Sequence, residues 1–142
     1  MIRIKNFTNF NLDRETFSTV AKKVLKGENR TTETFSLALV KKGEIEKLNK
    51  KFRKKNKPTD VLSFELKEPL VPGPDKNYIG EIVICPDVVK ENAKKYGVSF
   101  ESEMLKVFVH GILHLCGYDH EKSIKEAELM ENKQEKYLAD KK

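Results

Sequence analysis

The sequence predicts an α+β domain with one mixed four-stranded sheet. Three observations support this prediction: four short segments with the apolar character of strands, five segments with helical apolar spacing, and an order that ends in three consecutive helices. A chain of 142 residues has the length of one domain. We therefore expect residues 1–142 to fold as a single domain.

The strands are predicted from apolar runs and alternation. Residues 2–7, IRIKNF, alternate apolar and charged side chains, as a half-buried strand does. The predicted strands cover residues 2–7, 34–40, 60–66 and 79–85. Three prolines and a glycine in residues 68–77 predict a loop between the last two strands.

The helices are predicted from their periodicity and their end signals. Asp13 and Ser99 have the residue type of N-caps, whereas Gly27 and Gly97 follow helical segments as stop signals. The predicted helices cover residues 14–26, 43–52, 86–96, 99–116 and 123–138. The helix at 99–116 is apolar nearly all round from Met104 onward, which predicts a central, buried helix.

The composition is that of a soluble globular protein. No apolar run approaches the roughly 20 residues that a membrane-spanning helix needs, and the first residues lack an apolar signal core. We therefore expect a cytoplasmic protein that does not enter a membrane. In that compartment the two isolated cysteines, Cys85 and Cys116, are expected to be reduced.

Positive charge is concentrated in residues 41–57. This segment holds nine of the 28 basic residues and only two acids, although the net charge of the whole chain is only +6. Such a patch is typical of a surface that binds a polyanion. The alternative is a lysine-rich helix that is merely solvated.

All three histidines of the chain lie in HGILHLCGYDH, residues 110–120. His110 and His114 are four residues apart, so they share one helix face. Gly117 can adopt a left-handed conformation that ends the helix and returns His120 towards the other two. This spacing resembles that of metzincin zinc proteases. The alternative, three hydrogen-bonded core histidines, does not explain the spacing.

Three protein ligands leave one coordination position for water, which is typical of a catalytic zinc. There zinc lowers the pKa of the bound water and supplies a nucleophile for hydrolysis. Nickel, iron or copper would bind the same imidazoles. Cys116 points away from His114 by helical geometry, so we expect it to be a packing residue.

Gly111 stands where zinc proteases carry the glutamate that acts as general base. Peptide hydrolysis by that route is therefore not expected. A phosphodiester substrate fits both this difference and the basic segment at 41–57.

Three motifs resemble those of the YbeY family of bacterial metal-dependent endoribonucleases: HGILHLCGYDH, LNKKFRKKNKPTDVLSFE at 48–65, and GEIVIC at 80–85. The resemblance implies a zincin-like α+β fold and one zinc ion bound by His110, His114 and His120. It also implies cleavage of single-stranded RNA, in 3′-end maturation of the 16S RNA of the small ribosomal subunit and in ribosome quality control. The functional arginine of the family matches Arg53, which would clamp a phosphate.

These motifs contain further candidate binding residues. We expect four lysines of the basic segment to contact the RNA backbone: Lys50, Lys51, Lys54 and Lys55. Asp119 either orients a histidine from the second shell or caps the turn. Phe52 and Tyr118 either stack on unpaired bases or belong to the core. The chain departs from common family residues at Phe52, Asn56 and Glu81.

Two other functions remain open from the sequence. A metallohydrolase of another substrate class would need a base from elsewhere, such as Glu81. A non-catalytic RNA- or ribosome-binding protein would use the metal only for structure. We expect a monomer. The sequence does not identify the cleavage site, the general base or the attacking nucleophile.

Overall fold

The computed structural model describes residues 2–65 and 77–139. The strands in these ranges are β1 (Ile2–Asn6), β2 (Thr34–Leu39), β3 (Val61–Glu65) and β4 (Tyr78–Ile84). The helices are α1 (Arg14–Gly27), α2 (Lys42–Arg53), α3 (Pro86–Tyr96), α4 (Phe100–Leu115) and α5 (Ile124–Ala139). Each predicted strand and helix is present to within one or two residues. Almost all of the predicted loop at 68–77 lies outside the described residues.

The strands form one mixed sheet in the order β1-β2-β4-β3. The β1–β2 and β2–β4 pairs are parallel, and β3 pairs antiparallel with β4. The prediction of an α+β fold with a mixed four-stranded sheet is therefore confirmed. Among the described strands β3 pairs only with β4, so it forms one edge of the described sheet.

Helices cover both faces of this sheet. Ile82 and Ile84 of β4 belong to the larger core cluster, which contains half of the residues of α4. Val83 and Cys85 belong to a second cluster with Ile45 of α2. Because successive side chains of a strand point to opposite faces, α4 and α2 lie on opposite sides of β4.

Helix α4 is the buried centre of the fold, as predicted. Ten of its 16 residues are buried. It lies so close to β4 that a Cβ atom added to Gly111 would be 2.9 Å from Cγ2 of Ile82. Among the described residues, no helix has the length and apolar character that a membrane crossing requires.

The helix ends follow the predicted signals with small differences. The side chains of Asp13 and Ser99 accept hydrogen bonds from the backbone N–H groups of α1 and α4, as N-caps do. Gly97 ends α3 with a left-handed φ of 68°. Gly27 is still inside α1, and α2 begins one residue before Gly43.

Candidate metal centre

The three histidines converge at the end of α4. His110 and His114 are one turn apart on the helix, and His120 comes from the turn that follows it. One ring nitrogen from each residue can be chosen so that all three lie within 4.8 Å of one another. The closest pair is His114 Nε2 and His120 Nδ1, at 3.0 Å. The structure thus brings the three predicted ligands together.

The turn after α4 depends on Gly117. Its φ is +103°, in the region that favours glycine. The N–H of Gly117 donates to the carbonyl of His114 at 3.0 Å, and the N–H of Tyr118 donates to that of Leu113 at 3.1 Å. These two bonds close the helix end. The chain then reverses and carries His120 back over α4, as the sequence predicted.

Gln134 of α5 fixes the orientation of His110. Its amide oxygen Oε1 is hydrogen-bonded to Nδ1 of His110. Because an amide oxygen only accepts, Nδ1 carries the proton and Nε2 keeps its lone pair free for a ligand. The sequence analysis missed Gln134. A signal was available, since Gln134 is the polar member of a helical stripe whose other members, Met130 and Tyr137, are buried.

Glu28 supports the turn that carries His120. Its carboxylate accepts hydrogen bonds from the hydroxyl of Tyr118 at 2.7 Å, from the hydroxyl of Tyr137, and from Lys133 Nζ at 3.2 Å. Burial alone would raise the pKa of Glu28, but these hydrogen bonds outweigh it and lower the pKa. Burial and Glu28 together raise the pKa of Tyr118 to about 12. Tyr118 also packs against the larger core cluster, which is the second of its two predicted roles.

His110 and His114 are in the protonation state that a metal requires. Burial lowers the pKa of His110. Burial, together with the neighbouring His110 and His120, lowers the pKa of His114 to about 4. Both rings are therefore neutral near pH 7, and a neutral imidazole is the form that coordinates a metal.

The donor set suits one metal ion. Nitrogens bound to one zinc at about 2.0–2.1 Å in tetrahedral geometry lie about 3.3 Å apart, so small ring movements would bring these three atoms into place. Cys116 does not belong to the group of described residues whose ligand atoms lie close enough to hold one metal ion. Burial raises the pKa of its thiol to about 11. The three imidazoles can hold a metal ion without specifying which metal.

The histidines form part of a cleft of about 440 Å³ between α4 and the edge strand β3. Arg53, at the end of α2, also lines this cleft. Its Nη2 lies 2.6 Å from Oε1 of Glu121, and that oxygen lies 4.0 Å from Nε2 of His120. The hydrogen bond and the charge of Arg53 lower the pKa of Glu121. One exposed ion pair therefore places a guanidinium beside the histidine cluster.

The end of α2 is held by Asn49, which the sequence analysis did not single out. Its side chain is almost completely buried, and its amide donates to the carbonyl of Lys57 at 2.8 Å. Lys54 ends the helix in the left-handed region, with φ of 57°. The chain therefore folds back immediately after Arg53, which leaves this side chain at the rim of the cleft.

The four lysines with a predicted RNA contact are all exposed, but they do not share one location. Lys55 lines the cleft, as does Lys57, whereas Lys50, Lys51 and Lys54 do not. Phe52 is 55 % exposed, and its ring meets the edge of Phe64 at a centroid distance of 5.1 Å.

The acidic residues have different locations. Asp119 Oδ1 accepts a hydrogen bond from the N–H of Glu121 at 3.0 Å, which supports its turn-capping role; its effect on a histidine remains a prediction. Glu81 is next to Ile82 on β4, so its side chain points away from α4.

Asp60 and Glu103 do line the cleft. Glu103 was missed, although it lies two helical turns before His110.

Comparisons with known proteins identify the family of this chain. A protein family described as "Endoribonuclease YbeY" matches residues 3–142. The Endoribonuclease YbeY of Thermotoga maritima is 46 % identical over 103 residues, which cover 72 % of this chain and 64 % of that protein. The protein of the same name from Aliarcobacter butzleri is 40 % identical over 136 residues, which cover 92 % of this chain and 91 % of that protein.

A solved structure agrees in fold as well. The solution structure of a Thermotoga maritima protein superposes with a TM-score of 0.71 and 39 % sequence identity, and the match covers 99 % of this chain and 89 % of that one. The aligned region spans less than two thirds of the length of the Thermotoga maritima YbeY protein. The family match extends over nearly the whole of the present chain. This chain therefore belongs to the YbeY family.

Proposed function

We propose that this protein is a metal-dependent endoribonuclease that cuts single-stranded RNA with one zinc ion per chain. The observation that carries the proposal is the convergence of three imidazoles with Arg53 in one cleft. His110, His114 and His120 would hold the metal. Family membership supports RNA as the substrate, since the relatives carry the name endoribonuclease.

Each part of the cleft has a role in phosphodiester hydrolysis. Zinc would act as a Lewis acid and would lower the pKa of bound water. Gln134 keeps the Nε2 lone pair of His110 available. Arg53 binds the scissile phosphate through two N–H groups and stabilises the charge that develops on it. For this, the phosphate replaces Glu121 as the partner of the guanidinium.

The basic segment at 41–57 gives the rim of the cleft its affinity for the RNA backbone. Lys55 acts nearest the histidines, and Lys50, Lys51 and Lys54 act farther along the strand. The protein works as a cytoplasmic monomer whose residues 1–142 form one nuclease domain. Its substrate is 16S ribosomal RNA of the small subunit, in 3′-end maturation and in ribosome quality control.

The test is the cleavage rate of an end-labelled single-stranded RNA by zinc-loaded protein, beside Arg53→Ala prepared in the same way. We expect the variant to retain its zinc and to cut about 10²-fold more slowly, as when one group that stabilises transition-state charge is removed. Metal content measured on both samples separates loss of chemistry from loss of zinc.

Glu121→Gln is the matched control. If Arg53 served only as the ion-pair partner of Glu121, both variants would be slowed equally. Equal rates for wild type and Arg53→Ala would contradict the assignment of Arg53. If neither protein cut RNA but both bound it, the protein would be a metal-containing RNA-binding protein instead.

A further inference from the structure

The cleft extends beyond the histidines towards the beginning of α4. Lys106 lies one turn before His110 on the same helix face, about 6 Å along the axis. Tyr96, the last residue of α3, lines this end of the cleft together with Lys106. Arg53 and Glu121 lie at the other end, near His114 and His120. The metal centre therefore lies between two different groups of cleft residues.

Tyr96 has the features of an aromatic platform. Tyr96 is 56 % exposed, although it lines a cleft that also contains buried residues such as Glu103 and Val107. Lys106 Nζ lies 5.8 Å from the ring centroid, over the ring. A cation over an aromatic ring is attracted to it. One part of the ring is thus occupied by a charge, and exposed ring surface remains for a ligand.

The position of Tyr96 is fixed by the end of α3. Gly97 has a left-handed φ of 68°, and the N–H of Val98 donates to the carbonyl of Ala93 at 3.0 Å. This helix stop leaves the backbone of Tyr96 little freedom. A fixed backbone removes part of the entropy that Tyr96 would otherwise lose when a flat ligand stacks on its ring.

The charges at this end favour an anion next to the stacked group. Lys106 is exposed, whereas the carboxylate-bearing Glu103 is only 4 % exposed. A strand entering the cleft therefore meets the ammonium group first. An aromatic ring beside an exposed cation is the combination by which single-stranded nucleic acids are bound, with the base on the ring and the phosphate on the cation.

We infer that Tyr96 and Lys106 form a nucleotide-binding subsite. One unpaired base of the RNA stacks on Tyr96, and the phosphate next to it contacts Lys106. This nucleotide adjoins the one at the histidines, on the side opposite Arg53. The inference rests on the proposed RNA cleavage and adds a residue that selects for unpaired bases, because a paired base cannot present its face to the ring.

The test measures binding of zinc-loaded protein to two fluorescein-labelled probes, a single-stranded deoxyadenosine dodecamer and an abasic dodecamer of equal length. We expect Tyr96→Ala to weaken binding of the adenine probe about fivefold or more. Its affinity for the abasic probe should not change. Tyr96→Phe should keep the wild-type preference for adenine, and Lys106→Ala should weaken binding of both probes.

Phe7→Ala is the matched control. Phe7 is 62 % exposed and follows β1, at the sheet edge opposite β3. If Tyr96→Ala and Phe7→Ala bound the adenine probe equally, the subsite would be disproved. The same would follow if Phe52→Ala, and not Tyr96→Ala, removed the adenine preference.

Cleavage of a single-stranded RNA, measured in parallel, separates this inference from the proposed function. For Tyr96→Ala we expect a raised KM with kcat retained. If the wild type cuts RNA and Tyr96→Ala is unchanged in both KM and probe binding, only the subsite fails. If the wild type neither binds the probes nor cuts RNA, the proposed function and the subsite fail together.

Discussion

The two sides of the cleft are built differently. On the histidine side, Gln134 holds His110, and Glu28 holds the turn that carries His120. His114 lies on α4, which packs directly on β4. On the Arg53 side, the charged groups are exposed and are joined by an ion pair at the surface. Metal ligands need a fixed geometry, whereas groups that bind a flexible strand must be free to exchange partners. Substitutions on the histidine side should therefore affect stability and metal binding, and substitutions beside Arg53 should affect turnover.

The largest effect is expected for Gly111→Glu, which would introduce the base of the zinc proteases. A Cβ atom at this position would already be 2.9 Å from Ile82, and the carboxylate would enter the interface between α4 and β4. Overpacking and burial of a charge together should lower the free energy of unfolding by more than about 4 kcal/mol. Urea denaturation measures this change. Gly43→Glu is the control, because its Cβ would meet nothing within 4 Å; equal losses for the two variants would refute the packing argument.

Gln134→Leu should have the next largest effect. It removes the acceptor that orients His110 while it keeps a buried side chain of similar size. Loss of such a partner typically weakens metal binding by about 10- to 100-fold. Competition with a fluorescent zinc chelator measures this affinity. Gln134→Glu retains an acceptor and should bind zinc with an affinity near that of the wild type. An equal loss of zinc affinity in both variants would show that the hydrogen bond to His110 does not support metal binding.

Glu28→Gln should have the smallest of these three effects, and the effect should depend on pH. The pKa of Glu28 is lowered in the folded protein, so its charge stabilises the fold above the ordinary pKa of about 4.5. The stabilisation is lost as the pH falls through the folded-state pKa. We expect the variant to lose about 1 kcal/mol at pH 7, because a glutamine at this position would keep an acceptor oxygen without the charge, and we expect the difference from the wild type to shrink below pH 4.5.

Thermal denaturation across pH 3 to 7 tests this dependence, with Glu131→Gln as the control because it changes an exposed glutamate of α5. A difference that stayed constant with pH would mean that the ionised carboxylate of Glu28 does not stabilise the fold.

The ligand set could be predicted from the sequence because it is local. His110, His114, Gly117 and His120 lie within one helix end and one turn, where spacing alone determines which side chains share a face. The supporting contacts are distant in sequence: Gln134 is 24 residues from His110, and Tyr137 is 109 residues from Glu28. Periodicity identifies the buried face of α5 but not the partner that it meets. Tyr96 was missed for the same reason, because only the packing of α3 on α4 brings it to the cleft.

The lack of space between Gly111 and Ile82 for an added Cβ atom limits how this site can change during evolution. A glutamate at position 111 would require a smaller residue at position 82 at the same time. Each change made first would damage the fold, through a clash in one order and through a cavity in the other. A lineage that starts from this backbone would therefore pass through unstable intermediates before it acquired the glutamate of the peptidases, although the two motifs differ by a single residue at this position.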